Sequence, residues 1–198
     1  MKKTTNLIAK DVTISVPTRN RPNFLYRLLN YYDQACFKGI IFIGDASDDD
    51  MLQENKKIIS AFNSKIDIKH FALNLDVNST FEFLSKEIET NYCLYCADDD
   101  FICPDGIEKS IIFLKENPDY NAVHGKGAMF TINSDMCFGN IDSLFSYPQA
   151  IVDGETATDR LSNYLVPPHA LLFSLHRTVS WKKIFKGISS YNWATKQQ

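Results

Sequence analysis

Val12-Thr13-Ile14-Ser15-Val16-Pro17-Thr18-Arg19-Asn20-Arg21-Pro22 begins a unit that closes with Ile40-Ile41-Phe42-Ile43. Its first five residues are short and β-branched, and they stop at Pro17, which predicts a strand. Pro22 suits the first turn of a helix, where its missing N–H costs nothing. Phe24, Leu25, Leu28, Leu29 and Tyr32 then recur at helical spacing and define one buried stripe. Gly39 closes the helix segment, and the apolar run 40–43 reads as a strand covered on both faces.

The same alternation continues outward. Ile58, Ile59 and Phe62 give a helical face, and Ile66 to Phe71 a third strand. Ser79 with Glu82 has the form of a capping box before a helix carrying Phe83, Leu84 and Ile88. Tyr92 to Cys96 is a fourth strand. Asp105 with Glu108 marks another helix start, followed by Ile107, Ile111, Ile112 and Leu114, and Pro118 ends it. Such a series predicts an α/β layer architecture, a mainly parallel central sheet with helices on both faces. Beyond Tyr120 the pattern loosens. Val123 to Ile132 and Met136 to Phe138 read as strands around a turn at Asn133-Ser134-Asp135, Glu155 to Tyr164 as a helix, and Leu171 to Leu175 as a further strand.

The 198 residues are 44% hydrophobic and 23% charged, which excludes collagen-like and disordered classes. Lys and Arg number 21 against 24 Asp and Glu, a net charge of −3, which argues against a nucleic-acid-coating protein. Five cysteines cannot all pair, so no complete disulfide framework exists. Met1-Lys2-Lys3 runs into polar residues rather than a secretory leader. The apolar stretch Leu165 to Leu175 is too short to span a bilayer and contains Pro167 and Pro168. Together these features set the expectation of a cytoplasmic protein.

In open α/β sheets ligands bind beyond the carboxyl ends of the strands. There the sequence places Pro17-Thr18-Arg19-Asn20-Arg21, then Gly44-Asp45-Ala46-Ser47-Asp48-Asp49-Asp50, then Asp98-Asp99-Asp100. Three adjacent carboxylates repel one another, and a hard divalent cation such as Mg²⁺ or Mn²⁺, which shares its oxygen ligands with phosphates, relieves that repulsion. In an extended segment Asp98 and Asp100 point the same way and can face one ion. The plainer alternative is a solvated acidic turn ahead of the helix at Pro104.

These three loops, with Pro104-Asp105-Gly106, resemble family 2 of the nucleotide-sugar glycosyltransferases across Val12 to Leu114, and more faintly across Leu171 to Ser190. The resemblance implies a single GT-A-type domain over 1–198, Rossmann-like, with about 12–120 as the nucleotide-sugar-binding half and about 121–198 as an acceptor-side half cut short. It implies that Pro17, Thr18, Arg19 and Arg21 line the donor site and that Asp45 accepts a hydrogen bond from the base. Asp98 and Asp100 would hold Mn²⁺ or Mg²⁺ on the diphosphate, with Asp99 near the sugar or ribose. The implied reaction moves a sugar from a nucleoside-diphosphate sugar, a UDP-sugar as the commonest donor, to a glycan or lipid-linked acceptor, with inversion.

Departures from the family pattern set two further expectations. Gly44 and Ala46 stand where the family often has an acidic residue and a glycine. No Asp or Glu follows Asp159, so the acidic motif that usually carries the catalytic base is missing or replaced. Asp159 is the substitute taken here, with Asp153 and Glu155 beside it; as ordinary cap residues they need no such role. The alternative function is a sugar-nucleotide-binding module without transfer. A nucleotidyltransferase ranks last, since Pro17 to Pro22 contains no glycine. Cys93 and Cys96 read as core thiols, as do Cys36, Cys103 and Cys137. His124, His169 and His176 are candidate ligand contacts. Trp181 to Lys186 reads as a packed terminal helix or as a peripheral contact with an anionic membrane.

Overall fold

The computed structural model describes residues 10–134, 136–149, 151–165 and 171–190. Its first half alternates as expected: β1 (Val12–Thr18), α1 (Pro22–Gln34), β2 (Ile40–Asp45), α2 (Asp49–Phe62), β3 (Asp67–Ala72), α3 (Val77–Glu87), β4 (Tyr92–Tyr95) and α4 (Pro104–Glu116). There follow β5 (Ala122–Val123), β6 (Gly127–Ile132), β7 (Ile141–Tyr147), α5 (Ala157–Leu165), β8 (Leu175–Arg177), α6 (Thr178–Phe185) and a 3-10 turn at Ile188–Ser190. Six strands form one sheet in the order β3-β2-β1-β4-β8-β5, and β6 pairs with β7 apart from it. β1 to β4 run parallel; β8 is antiparallel to both β4 and β5.

Strand alternation divides the core in two. Val12, Ile14 and Val16 of β1 pack with Leu25, Leu28, Leu29 and Tyr32 of α1, with Ile59 and Phe62 of α2, and with Ile107, Ile111 and Leu114 of α4. On the opposite face Phe42 and Cys93 meet Leu84 and Ile88 of the α3 segment and Trp181 and Phe185 of α6. Helices therefore cover both faces. Of the stripe read in α1, Leu25, Leu28, Leu29 and Tyr32 are buried on one side as expected, while Phe24 is only partly buried, its ring lying under the Arg21 guanidinium.

Several element boundaries differ from expectation for local reasons. The cap of α3 is Asp76, whose carboxylate accepts from the Ser79 backbone at 3.0 Å and the Ser79 hydroxyl at 2.7 Å, so Ser79 lies inside the helix. α4 starts one residue before Asp105, with Pro104 in its first turn and Cys103 as the cap. Met136 to Phe138 is not a strand; β7 begins at Ile141, after Asn133 closes the turn by donating to the Asn140 carbonyl. The last sheet strand begins where the expected one ended, at Leu175. Cys36 and Cys103 are exposed rather than core, while Cys93, Cys96 and Cys137 are buried, and all five are free thiols. Asp135, Pro167, Pro168 and His169 lie outside the described residues.

Trp181 and Phe185 are buried and only Ile184 of that apolar trio faces outward, which removes the aromatic anchors that a membrane contact through α6 would use. Among the described residues no helix is long and apolar enough to cross a membrane.

Candidate active site at the sheet switch point

From β1 the chain moves to β2 on one side, while β4 lies against the other side of β1. The carboxyl ends of β1 and β4 thus flank a switch point, the usual ligand crevice of such sheets. The loop after β4 carries Asp98, Asp99 and Asp100, and the loop after β1 carries Arg21. They meet there. Thr18 Oγ1 donates to Asp98 Oδ2 at 2.7 Å, and Arg21 spreads its fork over Asp98 Oδ1 at 2.7 Å and Asp99 Oδ2 at 2.9 Å. Arg21 is held from behind by the Phe24 ring, 4.0 Å from its guanidinium carbon.

Burial raises the pKa of Asp98, with the charge of Asp99 adding to it, against the Thr18 hydrogen bond and the charge of Arg21. Asp100 is raised as well, by burial and then by Asp99 and Asp98. Its carboxylate takes no hydrogen bond or ion pair from the described residues. Two carboxylates driven toward their neutral forms by desolvation and mutual repulsion are a donor set that a hard divalent cation would stabilise. No group of three or more acidic, His or Cys side chains gathers for a metal among the described residues. The segment 97–100 is a turn, with Asp100 N donating to the Ala97 carbonyl at 3.1 Å, and not the extended stretch expected. Alternation therefore does not set Asp98 and Asp100 side by side. Two carboxylates of one loop still suffice for an Mg²⁺-like ion whose shell is completed by water and phosphate oxygens.

Asp45 ends β2, one strand away. Its side chain is fully out of solvent and serves a network: Ser47 N donates to Oδ1 at 3.0 Å, Asn55 Nδ2 to Oδ2 at 2.9 Å, and His70 Nε2 lies 3.0 Å from Oδ2. Burial raises its pKa, but these bonds outweigh burial and hold it below the ordinary range. The loops after β1 and β2 are laced together by Asn20, which adopts φ +56°. Its amide Nδ2 donates to Asp48 at 2.8 Å, its Oδ1 accepts from Asp48 N at 2.9 Å, and its own N–H donates to Ser47 Oγ at 2.8 Å. Asn and Asp tolerate that left-handed conformation better than other side chains, which is a reason for asparagine here. Arg19 is exposed and reaches Asp48 only at 4.0 Å, and Pro17 lies opposite Gly44 in the sheet register.

Asp159 is placed differently. It lies in the first turn of α5 as the reciprocal partner of the capping residue Thr156, accepting from the Thr156 hydroxyl and backbone N–H, while the Thr156 hydroxyl accepts from its N–H at 3.1 Å. Those bonds lower its pKa. His176 is half-buried and packs against Trp181, ring centroids 4.9 Å apart.

Four residues that sequence reasoning passed over shape the site: Asn20, Arg27, Asn55 and His70. Arg27, on α1, donates to the Cys137 carbonyl at 2.7 Å and the Asp99 carbonyl at 2.9 Å, tying the β6–β7 turn to the acidic loop. Asn20 was visible inside a motif. The others sit within a helix stripe or a strand, with partners up to 110 residues away, so no local pattern marks them.

Comparison with known proteins completes the picture. None of the curated protein sequences compared with the chain matches it. Residues 1–349 of S. aureus TarS share 18% identity and superpose with a TM-score of 0.56, over 88% of this chain and 49% of that one. The same TarS fragment is known in complex with UDP-GlcNAc and with UDP. A 4-diphosphocytidyl-2C-methyl-D-erythritol synthase from Anaerococcus prevotii gives 12% identity and a TM-score of 0.53, over 95% of this chain and 80% of that one. At such identities the likeness is one of fold, and the chain spans about half the length of the TarS fragment. A family model described as Glycosyl transferase family 2 matches residues 13–133, a stretch that runs from β1 through the acidic loop to the end of β6. More than half of the chain answers to that one model, and it therefore belongs to glycosyl transferase family 2.

Proposed function

We propose that the chain transfers a sugar from a nucleoside-diphosphate sugar to a hydroxyl acceptor, with inversion, using Mn²⁺ or Mg²⁺ held by Asp98 and Asp100. The observation that carries this reading is the meeting of Asp98, Asp99 and Arg21 at the β1–β4 switch point. A UDP-sugar is the donor of first choice, in keeping with the ligands of the TarS fragment. Residues of about 12–120 would hold the donor and those of about 121–198 the acceptor, within one domain.

In this reading Thr18 and Arg21 fix Asp98 in place. Arg21, already presenting a bidentate fork, and Arg19, exposed on the same loop, are the arginines that can turn to a diphosphate oxygen. Asp99, partly exposed, would meet the sugar or ribose. Pro17, Thr18 and Arg19 would border the nucleoside, and Asp45, itself out of solvent, would act on the base through His70 and Ser47, the partners in its network that keep partial exposure. When bound, the divalent ion would offset charge on the leaving diphosphate. An inverting transfer also needs a base for the acceptor hydroxyl. Asp159 would have to release Thr156 to serve, and its lowered pKa makes it a weak proton acceptor.

That commitment of Asp159 to a helix cap favours a second reading, a module that binds donor without transferring it. Thermal unfolding with a panel of nucleoside diphosphates and their sugars, with Mn²⁺ and with EDTA, tests the shared part. Ligand at a hundred times its Kd adds about 2.7 kcal/mol to stability. A cognate donor should raise the midpoint with Mn²⁺, and EDTA should abolish most of the rise. No response to any member of the panel contradicts both readings. Glycosidic product from an acceptor panel separates them, and its absence beside firm donor binding selects the module.

A further inference from the structure

The shape of the acidic loop turns on one peptide group, the one joining Asp99 to Asp100. Its N–H, from Asp100, donates to the Ala97 carbonyl at 3.1 Å, and its C=O, from Asp99, accepts from Arg27 Nη2 at 2.9 Å. A peptide unit is planar, so holding both of its polar ends holds the Cα atoms on either side. The directions in which Asp99 and Asp100 leave the chain are narrowed accordingly. Ala97 belongs to the loop itself. Arg27 reaches it from α1, about seventy residues earlier, and is the outside support.

Arg27 is itself held in place. Its Nη1 donates to the Cys137 carbonyl, between β6 and β7, at 2.7 Å. Its guanidinium carbon lies 4.9 Å from the Phe24 ring centroid and 5.1 Å from that of Phe101. Phe101 in turn stacks on Phe130 of β6, centroids 6.3 Å apart. The Nε of Arg27 is buried with no hydrogen-bond partner among the described residues. A buried donor left unpaired costs stability, so this pose does not serve Arg27 best. It is the pose that spans two carbonyls on separate segments, which only a rigid fork can do.

Resting on the reading of the switch point as a donor site, we propose that Arg27 is a positioning residue for that site. By gripping the Asp99 and Cys137 carbonyls together it presets the acidic loop for a divalent ion and a diphosphate, and it makes the β6–β7 hairpin part of the support of that loop. Both terminal nitrogens are committed to carbonyls, so Arg27 acts through the backbone of the loop. A positive charge beside the carboxylates would also help, and a lysine would supply that charge without the fork.

Calorimetry of the full chain with UDP, once with Mn²⁺ and once with EDTA, tests this on the parent, Arg27→Lys and Arg27→Gln. Residues that orient metal ligands from behind typically contribute ten- to a hundredfold in metal affinity. Both variants should therefore lose about tenfold or more with Mn²⁺ and little with EDTA. Ile59→Val, a trim of the core that α1 packs on, should lower the unfolding midpoint and leave the ratio of the two affinities as in the parent. Without any ligand, the Asp100 amide should exchange its hydrogen severalfold faster in Arg27→Gln than in the parent, read by NMR. Arg27→Lys matching the parent with Mn²⁺ overturns the proposal and leaves Arg27 as a charge. Equal losses with Mn²⁺ and EDTA overturn it too, as do a ratio shifted alike by Ile59→Val and an Asp100 amide with unchanged exchange. A parent without Mn²⁺-dependent UDP binding defeats the donor reading and this inference together, whereas a ratio preserved in both Arg27 variants defeats this inference alone.

Discussion

Asp45, buried, and His176, half-buried, are titratable groups that act in different pH windows. Asp45 keeps its charge because hydrogen bonds from His70, Ser47 and Asn55 outweigh its desolvation. Its contribution to stability is whole above the ordinary carboxylate value of 3.8 and is lost as pH falls through the lower folded value. Burial pulls His176 from 6.5 down to about 4. The unfolded chain therefore takes up the proton first, and stability is whole above 6.5 and falls as pH drops toward 4. The slope from this one group is at most about 1.4 kcal/mol per pH unit. Urea unfolding of the parent chain and His176→Gln at pH 7 and pH 5 should show a smaller pH loss in the variant; equal losses would contradict the account. Asp98→Asn and Asp100→Asn should each remove the Mn²⁺-dependent part of nucleotide-sugar binding while leaving the unfolding midpoint without ligand close to the parent's or slightly higher. That second readout follows from their raised pKa values, since each carboxylate is strained as an anion.

Packing between elements explains one departure from the family pattern that the sequence left open. A Cβ at Gly44 would lie 2.6 Å from Thr80 Cγ2 and 3.0 Å from Leu84 Cδ1, so α3 can sit on β2 only where no side chain stands between. Gly44→Ala should cost about 1–3 kcal/mol, and adding Thr80→Ser, which deletes the offending methyl, should recover part of it. Unchanged denaturation midpoints would refute this. Arg177 does comparable work at the other end of the sheet. Its guanidinium donates to the carbonyls of Leu114, Asn117 and Tyr120, closing the last turn of α4 and the segment after it. Arg177→Ala should destabilise by about 2 kcal/mol, and Lys should restore less than half, since it lacks the fork. Cap positions were legible only roughly. Ser79 and Asp105 have the right chemistry, but Asp76 stands three residues before the one and Pro104, suited to a first helical position, one before the other, and only the path of the chain decides between them. The strand pattern beyond Tyr120 misled for a related reason: β5 has two residues and β8 three, too short for alternation to show.

Across the whole molecule, the alternating strands and helices and the three rim loops could be read in advance because each is a contiguous run of sequence. What joins them could not. Arg27 to Cys137, Thr18 to Asp98 and Asn55 to Asp45 are pairings of distant or patternless residues, and the sheet order β3-β2-β1-β4 sets the second of them. That order places the loop of β1 against the loop of β4, and the acidic residues become a site only through it. The central claim is that Asp98 and Asp100 grip a nucleoside diphosphate through a divalent ion. Diffraction at the manganese edge from crystals of the chain soaked with Mn²⁺ and UDP tests it most directly. The account predicts an anomalous peak bonded to Asp98 and Asp100 and to the diphosphate; UDP density without manganese at those carboxylates, or no density beside them, would contradict it.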